Sequence, residues 1–127
     1  MGVVTSMGCD VETFWQNLVN GKSGIGPVTH FDASGVPSRI GAEVRDFDTA
    51  PYFANHRDAK RADRYIGFSV AASKMAVTQS GLDFSSGDPG RAGAFLGTGI
   101  GGLRLIDEGI GALKSGRSEE HTSELQS

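Results

Sequence analysis

The stretch that most limits how this chain can fold is Arg91-Ala-Gly-Ala-Phe-Leu-Gly-Thr-Gly-Ile-Gly-Gly102, where a short apolar run meets five glycines between 93 and 102. Glycine at that density lets the backbone turn sharply with positive φ and approach its neighbours closely. Phe95 and Leu96, set among small residues, suit a buried strand. From Leu103 the apolar positions Leu103, Ile106, Ile110 and Leu113 recur at helical spacing. The spacing predicts strand, turn and helix start, one crossover unit of an α/β domain.

The same residues spell G-x-G-x-x-G through Gly97, Gly99 and Gly102. A dinucleotide-binding loop would also need a second strand ending in an acidic residue about twenty positions on, to hold the ribose. Counting on from the glycines leads to Glu119 and Glu120, in a tail of different character. Gly97, Gly99, Gly101 and Gly102 are therefore read as a structural turn, and no cofactor is expected. A nucleotide-binding α/β domain stands as the remoter alternative.

Upstream, Asp10 is placed to cap a helix, because its carboxylate can accept amide hydrogens of the first turn. Val11, Phe14, Trp15, Leu18 and Val19 follow at i, i+3, i+4, i+7 and i+8. The pattern predicts an amphipathic helix over 10–20 that buries Trp15 and stops at Gly21, where a left-handed residue is usual. Residues 23–37, rich in Gly, Pro, Ser and Asp, read as an irregular loop in which His30 has no catalytic role. Ile40, Ala42, Val44 and Phe47 nearly alternate with polar residues, as a half-buried strand should.

Pro51 is placed to open a short helix. Beyond it, His56-Arg-Asp-Ala-Lys-Arg-Ala-Asp-Arg64 is the densest run of charge. Arg57, Lys60, Arg61 and Arg64 fall at i, i+3, i+4 and i+7, so they share one face if the segment is helical. Such a face is either solvated, offset by Asp58 and Asp63, or a docking patch for an acidic partner. Tyr65, Phe68, Ala72, Met75 and Ala76 continue a long helix to about Gln79, and Gly81 stops it.

At 127 residues the chain holds one domain, with 38% hydrophobic and 21% charged residues. The net charge of −3 shows none of the basic excess that nucleic acid draws. No apolar run is long enough to span a bilayer, so neither nucleic acid nor membrane is an expected partner, and the expected location is the cytoplasm. Cys9 is the single cysteine, which excludes an internal disulfide. The spacing of His30, His56 and His121 suggests no metal site. The apolar periodicity stops at Leu113, and Arg117-Ser-Glu-Glu-His-Thr-Ser-Glu-Leu-Gln-Ser127 reads as the translation of a short-read sequencing adapter. Residues 117–127 are therefore expected to be a non-native tail.

Residues 2–116 carry a more specific set of motifs. Gly2-Val-Val-Thr-Ser-Met-Gly-Cys-Asp-Val-Glu-Thr-Phe-Trp15 is followed by Gly21-Lys-Ser-Gly-Ile25, Phe31-Asp32, Asp46-Phe-Asp48, Lys60-Arg-Ala-Asp-Arg-Tyr65 and Gly97-Thr-Gly-Ile-Gly-Gly102. In order and spacing these resemble the N-terminal part of β-ketoacyl-acyl carrier protein synthases, above all the type II elongating enzymes. Ser6 stands where that family usually has proline. Cys9 stands where it commonly has asparagine, so this cysteine is not the family's nucleophile.

The resemblance implies an α/β chain with part of a thiolase-like fold, the N-terminal piece of a layered α/β/α/β/α sandwich spanning 1–116 and truncated at both ends. It implies a 3-oxoacyl-carrier-protein synthase that condenses an acyl thioester with malonyl-carrier, acting as a homodimer. The activated cysteine and two histidines of that chemistry are expected beyond Gly116, so this polypeptide alone is expected to be inactive. Acyl carrier protein is the implied partner, docked by Arg57, Lys60 and Arg61. A polyketide-type ketosynthase, or a chain-length factor without the nucleophile, is the nearer alternative.

Overall fold

A computed structural model describes residues 1–86 and 88–115. The chain runs through helix α1 (Val11–Val19), strands β1 (Gly26–Pro27) and β2 (Ile40–Gly41), a 3-10 turn at Ala50–Tyr52, helices α2 (His56–Arg61) and α3 (Arg64–Ser80), a second 3-10 turn at Pro89–Arg91, and helix α4 (Leu103–Lys114). The expected adapter tail lies outside the described residues.

α1 forms where the sequence places it. The Asp10 side chain accepts from the Thr13 amide at 2.7 Å. At the other end Gly21, at φ +63°, lets its own amide reach Leu18 O and the Lys22 amide reach Asn17 O. This pair of bonds closes the helix with its last carbonyls satisfied. The inward face is not the predicted one, however. Trp15 is 55% exposed, while Val11, Phe14 and Asn17 turn toward the chain. The Asn17 amide fixes that rotation by donating to Met7 O at 2.6 Å. Periodicity says which residues share a face; it does not say which face is covered.

β1 and β2 pair antiparallel, with Gly26 opposite Gly41 and Pro27 opposite Ile40, and the Val28 amide extends the ladder to Arg39 O. The strand expected over 40–47 is cut to two residues. Asp46 sits at φ +53°, a left-handed conformation that ends an extended run.

The long helix expected from the basic segment to Gln79 is two helices. Ala62 is extended, at φ −68° and ψ 133°, and Asp63 starts a new cap whose carboxylate accepts from the Arg64 amide at 2.7 Å. Asp63 is 8% exposed, a buried acid held at the junction. α3 then packs on the Ala50–Tyr52 turn. Its Gly67 lies so close to Thr49 that an added Cβ would meet Thr49 Oγ1 at 2.7 Å. Only glycine permits that approach.

The predicted strand of the glycine stretch does not form among the described residues, and Phe95 is 98% exposed. A strand needs a neighbour to take its backbone hydrogen bonds, and none lies beside 92–97. The helix start is present: Gly101 and Gly102 take φ +52° and +70°, and α4 opens at Leu103. Among the described residues the buried apolar side chains are Ala33 and Ala71. Leu103, Ile106, Ile110 and Leu113 remain between 46% and 67% exposed. Apolar surface on this scale drives association. The isolated chain is expected to self-associate, bind a hydrophobic dye and melt broadly; a monomer with one sharp cooperative transition would contradict this.

Candidate functional site

Of the four cations in the basic segment, the fold keeps three together. α2 begins at Asn55, whose Oδ1 accepts from the Asp58 amide at 2.8 Å while its Nδ2 donates to Asp58 Oδ2 at 2.7 Å. The cap thus engages the acid nearest the basic residues. Arg57, Lys60 and Arg61 follow at i, i+3 and i+4 on one face, all exposed, and among the described residues none is in an ion pair. Lys60 and Arg61 also lie in the last turn, where the helix dipole favours positive charge.

Arg64 leaves the set. Its Nη2 donates to Val44 O at 2.6 Å, and its guanidinium lies over the Phe68 ring at 5.1 Å from the centroid. That side chain braces the start of α3 against the 44–48 segment. The break at Ala62 is what separates the two roles, since a continuous helix would have aligned all four cations.

The glycine turn is placed differently from its dinucleotide reading. Gly101 and Gly102 carry the left-handed conformations, and a Cβ on Gly101 would lie 3.2 Å from Tyr65 Cζ. Gly97 and Gly99 meet nothing within 4 Å. Among the described residues no strand leads into the turn, and the strand–turn–helix context of a phosphate-binding loop is not formed there.

A second polar region adjoins the Thr5–Cys9 turn. A cavity of about 410 Å³ opens between the Thr5–Cys9 turn, residues Ser23–Gly26, and the side chains of Glu43 and Arg45. Burial pushes the Cys9 thiol up, opposed by a backbone hydrogen bond with Thr5 and aided by nearby Asp10, so the protonated form is favoured. This cysteine lacks the electropositive setting of a nucleophile.

Glu43 is the most constrained acid described. Its carboxylate accepts from Thr29 Oγ1 at 2.7 Å, from the Thr29 amide at 2.9 Å and from the His30 amide at 3.1 Å, and it pairs with Arg45 at 3.3 Å. The Thr29 hydroxyl and amide, with the His30 amide, hold its pKa down to about 2. Nothing local announces this: alternation puts Glu43 on a solvent face, and its partners lie 13 and 14 residues away.

A depressed carboxylate pKa stabilises the fold above the group's ordinary value, and that contribution fades as pH falls through the folded value. The Glu43 contribution is expected to be complete above about pH 4.5 and to be lost toward pH 2. Carboxyl-carbon NMR of labelled protein should place the Glu43 midpoint near 2; a midpoint in the ordinary glutamate range would mean that the cluster does not form.

Comparison with known proteins adds what geometry cannot. A family model described as the N-terminal domain of beta-ketoacyl synthase matches residues 1–125. A 3-oxoacyl-[acyl-carrier-protein] synthase 2 of Synechocystis sp. is 41% identical over 108 residues, covering 85% of this chain and 26% of that protein. The enzyme of the same name from Coxiella burnetii is 39% identical over 113 residues, covering 89% and 27%. A Streptomyces cyaneus protein, provisionally named a polyketide beta-ketoacyl synthase, is 41% identical over 107 residues, covering 84% and 25%. The chain thus spans about a quarter of the length of these relatives. Matched from its first residue through the α2 basic face and the glycine turn, the chain belongs to the β-ketoacyl synthase family, within its N-terminal domain.

Proposed function

We propose that this chain is part of an elongating 3-oxoacyl-[acyl-carrier-protein] synthase, which joins an acyl thioester to malonyl-carrier with loss of carbon dioxide in fatty acid synthesis. The relatives named 3-oxoacyl-[acyl-carrier-protein] synthase 2 support that reading. In the complete enzyme these residues would belong to a layered thiolase-like sandwich within a homodimer. The condensation needs an activated cysteine for acyl transfer and hydrogen-bond donors for the developing oxyanion. Cys9, with its raised pKa, does not supply the first. The polypeptide of residues 1–127 is therefore proposed to lack condensing activity by itself.

The observation that carries the partner is the α2 face. Arg57, Lys60 and Arg61 project from a short capped helix, exposed and unpaired among the described residues, as an acidic carrier protein requires. Exposed charges of this kind steer association and set its salt dependence more than they add affinity. A second reading, a polyketide-type ketosynthase or its chain-length factor, is favoured by the Streptomyces cyaneus relative. The residue at the nucleophile position distinguishes the active enzymes from the factor.

Residues 117–127 are proposed to be encoded by adapter sequence. Sequencing the source DNA outward from within codons 10–110 tests this: a frame that departs from those eleven codons after Gly116 supports it, and the same codons in the source DNA overturn it.

In the complete synthase, the double reversal Lys60→Glu and Arg61→Glu is expected to weaken acyl carrier protein binding about tenfold or more at low salt, with the difference shrinking as salt rises. Turnover of a small acyl thioester that bypasses the carrier should be unchanged. Unaltered carrier affinity at low salt would sink the docking assignment.

A further inference from the structure

The hairpin formed by β1, β2 and the connection between them has little apolar support of its own. Between Pro27 and Ile40 every residue except Val28 and Ala33 is exposed. Its tip is organised locally: Asp32 accepts from the Ser34 amide at 2.9 Å and from the Ser34 hydroxyl at 3.0 Å, Arg39 donates to Ser34 O at 3.0 Å, and the Val36 amide reaches Ala33 O. None of these bonds ties the hairpin to the helices. A unit with few buried contacts and many exposed backbone bonds belongs to the low-stability end of a structure.

One group joins its two arms. Glu43, whose side chain is only 9% exposed, takes three donors from Thr29 and His30 on the outgoing arm and a fourth from Arg45. The same Arg45 nitrogen also donates to Pro27 O at 2.7 Å. The carboxylate and guanidinium together join both arms, and both side chains line the cavity beside the Thr5–Cys9 turn. His30 and Arg45 are the titratable and cationic groups facing the carboxylate, and both favour its charged form.

We propose that Glu43 is a latch that holds the two arms of the 26–45 hairpin together, and that the hairpin opens as one unit when the latch is released. The donor set explains why a carboxylate is needed. Thr29 N, Thr29 Oγ1, His30 N and Arg45 Nη2 all present hydrogens, so an amide at position 43 would set an NH2 group against donors. Opening would also remove one wall of the cavity and widen it to solvent.

The test is amide hydrogen exchange resolved to single residues in the complete synthase carrying Glu43→Gln. The Val28 and Val36 amides discriminate, because their acceptors, Arg39 O and Ala33 O, do not involve Glu43. Their exchange is expected to rise about tenfold or more, the loss of a charge-assisted hydrogen bond, while amides within α3 stay unchanged. Acceleration confined to Thr29 and His30 would overturn the latch, since only their own bonds would have been lost. Equal acceleration in α3 would overturn it too, by making Glu43 a support of the whole domain, and so would no change at all. If Glu43→Gln does not fold, Thr29→Val decides the matter on the same two amides, with a rise of about threefold expected for removal of the hydroxyl bond alone.

Discussion

The seating of α3 on the segment before it is the contact on which the rest of the described structure depends. Gly67 admits Thr49 at a distance no side chain would allow, and this brings Phe68 to 6.3 Å from Phe47, which in turn lies 5.8 Å from Tyr52. Arg64 covers Phe68 and holds Val44 O. A backbone contact, an aromatic cluster and a cation thus fix one junction. α2 hangs from it through Ala62, and α4 approaches it where Arg104 stands 3.8 Å from the buried Asp63.

That junction also shapes the proposed docking face. Asp63 must cap α3, so the chain cannot remain helical through Ala62, and the cations divide between two tasks. Arg57, Lys60 and Arg61 stay free on a helix of six residues, while Arg64 is tied to Val44 O as a brace. A docking face for a charged partner needs cations that are free of internal partners, because each internal bond would have to be given up on binding. The capped acid Asp58 serves the same end, its carboxylate engaged with Asn55 rather than with the neighbouring basic residues.

Elsewhere the described residues show amphipathic elements without their complement. α4 has a continuous apolar stripe that is largely exposed, and Phe95 is almost fully in water. The stretch matched covers only about a quarter of each relative's length. Stripes and apolar runs record a requirement for burial, and the partner that meets it is a matter of tertiary structure.

How much could be read in advance follows from the range of each interaction. The caps of α1 and the start of α4 were legible, because Asp10, Gly21 and the Gly101–Gly102 pair act on backbone groups only a few residues away. The i, i+3, i+4 spacing of Arg57, Lys60 and Arg61 was legible for the same reason, and the ordered motifs from Gly2 to Gly102 were enough to indicate the family. The fate of the strand expected at Phe95 and Leu96, the length of the 40–47 strand and the outward turn of Trp15 were not legible, since each depends on what lies alongside.

Glu43 marks the limit most clearly. Its residue type promised a solvated carboxylate, and only the return of Thr29 and His30 to within 3.1 Å made it a clamp. The sequence by itself determined α1 with its caps, the start of α4, the basic cluster and the family. Tertiary structure decided which cations stay free, which apolar face turns inward and which acid holds the hairpin, because packing and charge act between residues that neighbour one another in space and not along the chain.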